Sequence, residues 1–312
     1  MTKGTVGKGW KLVWRHSRIL WWVFAVNLVL GLLATITTRL ELGNVLNKSL
    51  HSAGIANRFD MGVFIELIAK PEISLGPLMG GTLVFPWLFF LFMLFVIGGI
   101  LTAYREDRRL TTSEFFEASG GYFWRMVRLF LLSIIPLALC GVIFSIFFGI
   151  ASQLENERSA FRLQIVGGII GIVCVLLFRL WFDVAQVRAV AQNEHGMFRN
   201  LLRAFSISFR ALGTLLWMYL RISVVAWLFL WLGLWLWTHL PGNQVAFTWL
   251  LLEIVMLTQI FARLWQRAAS VTWYGLYAEE HPAAVVEFTT PHPAELTAPP
   301  AAPDPVPPAE PI

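Results

Sequence analysis

Long apolar runs separated by short basic segments set the pattern of this chain. Six runs stand out, at residues 19–38, 79–104, 129–152, 163–182, 211–238 and 245–265. A helix needs about 20 residues to cross the hydrocarbon core of a bilayer, and these runs meet that length. The two-residue alternation of a membrane β-barrel is absent. The clearest stretch is 197–263. It opens with Phe198, Leu201, Leu202, Phe205, Phe209 and Leu212 at helical spacing and sets Arg199, Arg203 and Arg210 on the other side. That pattern predicts a helix lying flat in the bilayer interface. Two long apolar runs follow, joined by the polar turn at 239–244.

The same unit recurs. Each odd-numbered run is entered through an aromatic–Arg pair: Trp14-Arg15, Trp124-Arg125 and Phe209-Arg210. Each even-numbered run ends on an arginine: Arg105, Arg179 and Arg263. The last two exits share Arg-Leu-Trp, at 179–181 and 263–265. Entry-to-exit spacing is 54 residues from Arg125 to Arg179 and 53 from Arg210 to Arg263, against 90 from Arg15 to Arg105. Arginine and tryptophan are common at cytoplasmic helix ends. That habit explains the residue types but not the matched lengths. The fold expected is an all-α membrane protein of six transmembrane helices, arranged as three repeated hairpins with interfacial amphipathic helices on the cytoplasmic side. The copies span about 9–110, 111–195 and 197–280 of the chain.

The extra length of the first copy is assigned to an outer-face insertion at about 42–73, whose short helical patterns predict two surface helices. They would form a lid, a docking element or a simple cover for the span ends. Thr111 and Glu114 have the spacing of a capping box, with Gly120-Gly121 expected to loosen the helix that follows. Residues 281–312 are Pro/Ala-rich and free of Lys and Arg, which predicts a disordered tail. No small-x-small cleavage site follows the first run, so it is expected to be a retained helix.

Composition agrees with this class. The 312 residues are 57% hydrophobic and 14% charged, and mean hydropathy is +0.66. The net charge of +5 is unevenly placed. Seventeen Lys and Arg fall on the side holding both termini and six on the other. The positive-inside rule then sets both termini in the cytoplasm of a bacterial inner membrane. The basic residues hug helix ends, which excludes nucleic acid as the natural partner. Lys11, Arg15, Arg18, Arg125, Arg128, Arg199, Arg203 and Arg210 are expected to face lipid headgroups.

Candidate chemistry is sparse. Arg221 and Glu253 are the formal charges deepest in the runs, eleven residues beyond Arg210 and ten before Arg263. At about 1.5 Å per residue both would lie at one depth. The expectation is a buried Arg221–Glu253 ion pair, either a structural clamp or part of a relay or anion site. Gly141, Ser145 and Gly149 in the third run, and Gly167 and Gly171 in the fourth, are spaced for close helix packing. No zinc-protease helix, nucleophile elbow or phosphate-binding loop is present. No enzyme activity, metal or cofactor is expected; Cys140 and Cys174 lie inside apolar runs.

Trp124-Arg125, the 198–209 amphipathic segment and the two Arg-Leu-Trp exits resemble a broad group of bacterial six-span membrane proteins. These are similar to the membrane domain of membrane-anchored glycerophosphodiester phosphodiesterases. The resemblance covers about residues 9–280 and lacks the catalytic domain, so it implies the fold and not that activity. The expected role is non-enzymatic: engaging lipids, a protein partner or a second copy of the chain in envelope or membrane homeostasis. The alternative is a small-solute or ion transporter, with a polar cavity lined by Arg221, Glu253, Asn27 and Gln259.

Overall fold

The computed structural model describes residues 4–46, 62, 65, 75–240 and 244–282. Among these the chain is all-helical, with eight helices and no strand: α1 (Thr5–Arg15), α2 (Ser17–Leu46), α3 (Leu75–Glu106), α4 (Thr112–Ala151), α5 (Glu157–Ala191), α6 (Met197–Arg210), α7 (Leu212–His239) and α8 (Val245–Glu280). Six of them, all but α1 and α6, are long and apolar enough to cross a membrane. The chain divides into two compact units, Met1–Tyr274 and Gly275–Ile312. In the second, the rings of Tyr277 and His281 stack at 4.5 Å. The expected outer-face insertion at 42–73 and the expected tail lie largely outside the described residues; where the insertion should begin, α2 simply continues to Leu46.

Burial explains the architecture of the first unit. Residues 96–101 of α3, 183–190 of α5 and 264–270 of α8 are buried at every position. A helix buried all round forms a core. All three runs sit near the C-terminal ends of their helices, so the packed core gathers at the arginine-rich end. Toward the other end large apolar side chains are bare, among them Ile135 at 71%, Trp231 at 63% and Val245 at 73% exposure. A water-soluble surface does not carry apolar area on that scale.

Local sequence sets the helix limits. Thr111 accepts from the Glu114 amide while the Glu114 side chain accepts from the Thr111 amide, the capping box read from the sequence. Glu114, with Glu106, also engages Arg108 and holds that guanidinium above its ordinary range. From this cap α4 runs unbroken through Gly120-Gly121 and Pro136 for 40 residues. The second copy therefore has no separate entry helix. A side chain at Gly120 or Gly121 would meet open space, so no close approach forces a bend there. The other two entries do break, at His16 and at Ala211. At the first, the His16 ring nitrogens lie 3.0 Å from the carbonyls of Leu12 and Arg108.

The small-residue stripes divide. Gly167 and Gly171 of α5 receive Phe147 and Phe144 of α4 against their backbones. Gly141 and Gly149 face open space, and the exposed Ser145 bonds back to the Gly141 carbonyl at 2.9 Å. The close packing of these two helices expected from their small residues takes the form of a ridge in a groove: α4 supplies aromatic rings to the glycine groove of α5, and its own Gly141, Ser145 and Gly149 lie on another face.

Candidate functional site

The charged residues of interest converge toward the C-terminal parts of α5 and α8 and the N-terminal half of α7. Asp183, one turn beyond Arg179 on α5, is 2% exposed. Its two oxygens accept from Arg263 Nη1 and Nη2 at 3.0 and 3.1 Å. That fork-to-carboxylate geometry is the strong form of an ion pair. The buried Tyr219 hydroxyl of α7 donates to Asp183 Oδ2 at 3.0 Å and meets Ser270 Oγ at 2.8 Å. Asp183 thus ties three helices together, and its remaining acceptor capacity is spent inside the protein.

Beside this hub opens a polar cavity of about 460 Å³. It is lined by Arg179, Ser223, Trp227, Gln259, Arg263 and Gln266, together with the methyl groups of Ala226 and Ala262. Its walls are held by their own hydrogen bonds. Arg179 donates to Gln266 Oε1, Gln266 Nε2 to Ser223 Oγ at 3.0 Å, and Gln259 Nε2 to the Ala226 carbonyl at 3.0 Å. Arg179 and Arg267 both lie within electrostatic reach of Arg263. Three guanidinium groups therefore share one carboxylate, Asp183. Buried Arg179 Nε, and Nε and Nη1 of Arg267, have no hydrogen-bond partner among the described residues.

A second polar cluster lies behind the first. Arg188, 2% exposed, donates to Asn200 Oδ1 at 2.9 Å and pairs with Glu194 at 2.7 Å. Glu194 also pairs with Arg203 at 3.3 Å, and Asn200 Nδ2 donates to the Ala185 carbonyl at 2.8 Å. Here donors and acceptors are spent on docking α6 against α5.

Arg221 and Glu253 do not meet. No ion pair joins them among the described residues. Arg221 is exposed, its guanidinium 4.8 Å from the centre of the Trp217 ring, and Glu253 Oε2 is buried with no hydrogen-bond partner among the described residues. The register of α7 on α8 is fixed by Gly233 against Val255, Ala226 against Gln259 and Ser223 against Gln266. It offsets Arg221 from Glu253 by about 13 residues, roughly 20 Å along the axis. The sequence count took Arg210 and Arg263 as the same boundary, whereas this register sets Arg263 level with about residue 224.

Four of the arginines expected to face lipid headgroups also make contacts within the protein. Arg15 pairs with Asp107 at 2.7 Å, and Arg18 donates to the Leu110 carbonyl while lying over Trp22. Arg125 binds Asn193 and His195, and Arg203 binds Glu194. Lys11, Arg128, Arg199 and Arg210 are exposed. Of the four residues expected to line a cavity, only Gln259 does so in the polar cavity above. Asp183, Tyr219 and Ser270 were missed. The signal available for their neighbourhood was the repeated Arg-Leu-Trp, which marks Arg179 and Arg263. Comparison with protein-family models, with curated proteins and with solved structures gave no match.

Proposed function

We propose that this chain is a non-enzymatic, multi-pass protein of the bacterial inner membrane that engages membrane lipids, or a partner within the membrane, in envelope homeostasis. The observation that carries the reading is the division of burial. The arginine-rich end is a packed polar core flanked by the amphipathic α1 and α6, and the opposite end offers bare apolar side chains on every side. A cytoplasmic placement of the arginine-rich end and of both termini follows from the positive-inside rule.

Threefold repetition is part of this reading, and matched contacts support it. Trp181 Nε1 donates to the Leu201 carbonyl and Trp265 Nε1 to the Val6 carbonyl, each at 2.8 Å. Both tryptophans stand two positions after an exit arginine, and Val6 and Leu201 each stand nine before an entry arginine. The exit of one copy thus holds the entry helix of the next. Six positions before the three entry arginines stand Gly9, Ser119 and Ala204, all buried. A Cβ at Gly9 would lie 2.8 Å from the Ala269 amide, and Ser119 abuts Gly99. Small residues let each entry segment approach an exit helix closely.

The polar cavity beside Arg179 favours one second reading, an anion transporter. Native mass spectrometry of the protein in lipid nanodiscs, paired with flux assays in liposomes, separates the two. Retention of a defined lipid class or subunit without flux supports the first reading. Flux of a small anion with no retained lipid overturns it.

A further inference from the structure

The geometry points to the Arg179–Arg263 cavity as a binding site for a phosphate group, supplied by the headgroup of an anionic phospholipid on the arginine-rich face of the membrane. This deepens the lipid-engaging reading and rests on it.

Three observations converge. The first is charge. Arg179 and Arg263 both line the cavity, Arg267 lies close behind, and Asp183 is the single carboxylate among them. Asp183 is already spent on Arg263 and Tyr219. Unbalanced buried charge is expensive, and an anion in the cavity relieves it. Guanidinium forks suit phosphate oxygens in geometry as well as charge.

The second is depth. Arg263 and Gln266 lie 18 and 21 residues along α8 from Val245, and Arg179 lies 22 along α5 from Glu157. At about 1.5 Å per residue these are roughly 27–33 Å from the opposite helix ends, close to the thickness of the hydrocarbon core. Along α7 the lining residues Ser223 and Trp227 lie 16 and 12 residues from His239, roughly 24 and 18 Å, so the cavity lies in the half of the spans nearer the arginine-rich end. The third is its mouth. Trp227 lines the cavity and is 70% exposed, an indole placed where lipid chains meet polar groups. A soluble phosphate would need no such wall; a lipid whose chains run along α7 would.

The test compares wild type with R179Q, R179K and R221Q. Arg221 is exposed and outside the cavity, so R221Q removes the same charge without touching the site. Each protein is placed in nanodiscs of equal phosphatidylglycerol and phosphatidylcholine, and retained lipids are counted by native mass spectrometry. A second arm titrates inorganic phosphate against lipid-free protein in detergent and follows the unfolding temperature. The expected result is selective retention of phosphatidylglycerol by wild type and R221Q, about tenfold weaker in R179Q, with R179K between. R179Q must unfold at or near the wild-type temperature for its loss to count as site chemistry; if it does not, R179K carries the comparison. A phosphate response lost in R179Q, without lipid preference in wild type, keeps the site but makes its ligand a soluble phosphate and removes the lipid reading. Equal lipid retention by wild type, R179Q and R179K overturns the site and leaves the lipid reading standing. An equal loss in R221Q also overturns the site, because general surface charge then explains the preference. Wild type that retains no lipid and ignores phosphate overturns both.

Discussion

Replacing Asp183 by alanine is the sharpest perturbation this structure offers. The carboxylate is 2% exposed and accepts three hydrogen bonds, two from Arg263 and one from Tyr219. Its removal turns the Tyr219 hydroxyl to Ser270 Oγ as its remaining acceptor and leaves three neighbouring guanidinium groups without their shared carboxylate among the described residues. Breaking a buried pair by deleting one partner costs about 3–5 kcal/mol. Arg263 is 32% exposed and can swing partly into water, which lowers the expected loss to about 2–4 kcal/mol. By the entropy of unfolding for a chain of this size, that is a fall of roughly 3–6 °C in unfolding temperature. Thermal unfolding in mild detergent, followed by tryptophan fluorescence, measures it. Asp183→Asn keeps an acceptor and should fall between the two. The decisive comparison is the double variant Asp183→Leu with Arg263→Leu, which removes both charges at once. It should recover much of the loss, because apolar replacement of a buried pair is often neutral. An Asp183→Ala protein that unfolds with wild type, or a double variant less stable than the single one, refutes the account of Asp183 as the counter-charge of this core.

Other expectations follow from specific contacts. Arg221→Leu and Glu253→Gln should be additive in a double-mutant cycle, with coupling below about 0.5 kcal/mol, since the two residues lie about 13 positions apart in register; a coupling of 1 kcal/mol or more means that the pair forms after all. Trp181→Phe and Trp265→Phe each delete one indole–carbonyl bond of 2.8 Å and should each cost about 1 kcal/mol, read by thermal unfolding. Markedly unequal losses count against the equivalence of the two contacts. The free thiols Cys140 on α4 and Cys174 on α5 lie near each other across the contact between the two helices. An added oxidant should link them within one chain, seen by intact mass as the loss of two hydrogens and of both alkylation sites. Failure to cross-link, or a cross-linked dimer instead, contradicts the packing of α4 on α5.

What could be read from the chain and what could not separate along a physical line. A helix that must cross hydrocarbon satisfies its backbone internally and wears apolar residues throughout, so its signature is local and continuous. The six runs, the Thr111–Glu114 cap and the exits at Arg179 and Arg263 are of this kind. Which face of such a helix meets which neighbour leaves no comparable trace, because lipid and protein both accept Leu, Val and Phe. Hence Gly141 and Gly149 passed for a packing face when the α4 rings of Phe144 and Phe147 make the contact. Hence also Arg221 and Glu253 passed for a pair: equal counts from two arginines say nothing of the register between α7 and α8.

Asp183 shows where repetition itself misleads. It stands four residues after Arg179, and Arg267 stands four after Arg263. In the proposed repeat the two would occupy equivalent places, and they carry opposite charges. Read singly, Asp183 is a scattered polar residue past the end of a span. In the structure, Asp183 takes up Arg263 of the other copy, and Arg267, in the place equivalent to its own, stays short of hydrogen-bond partners. A strict repeat would place like charges together at the junction of the three exits. Asp183 fastens Arg263 into the core and leaves Arg179 and Arg267 to share that one carboxylate among the described residues, and the remaining positive charge is what the cavity beside Arg179 presents.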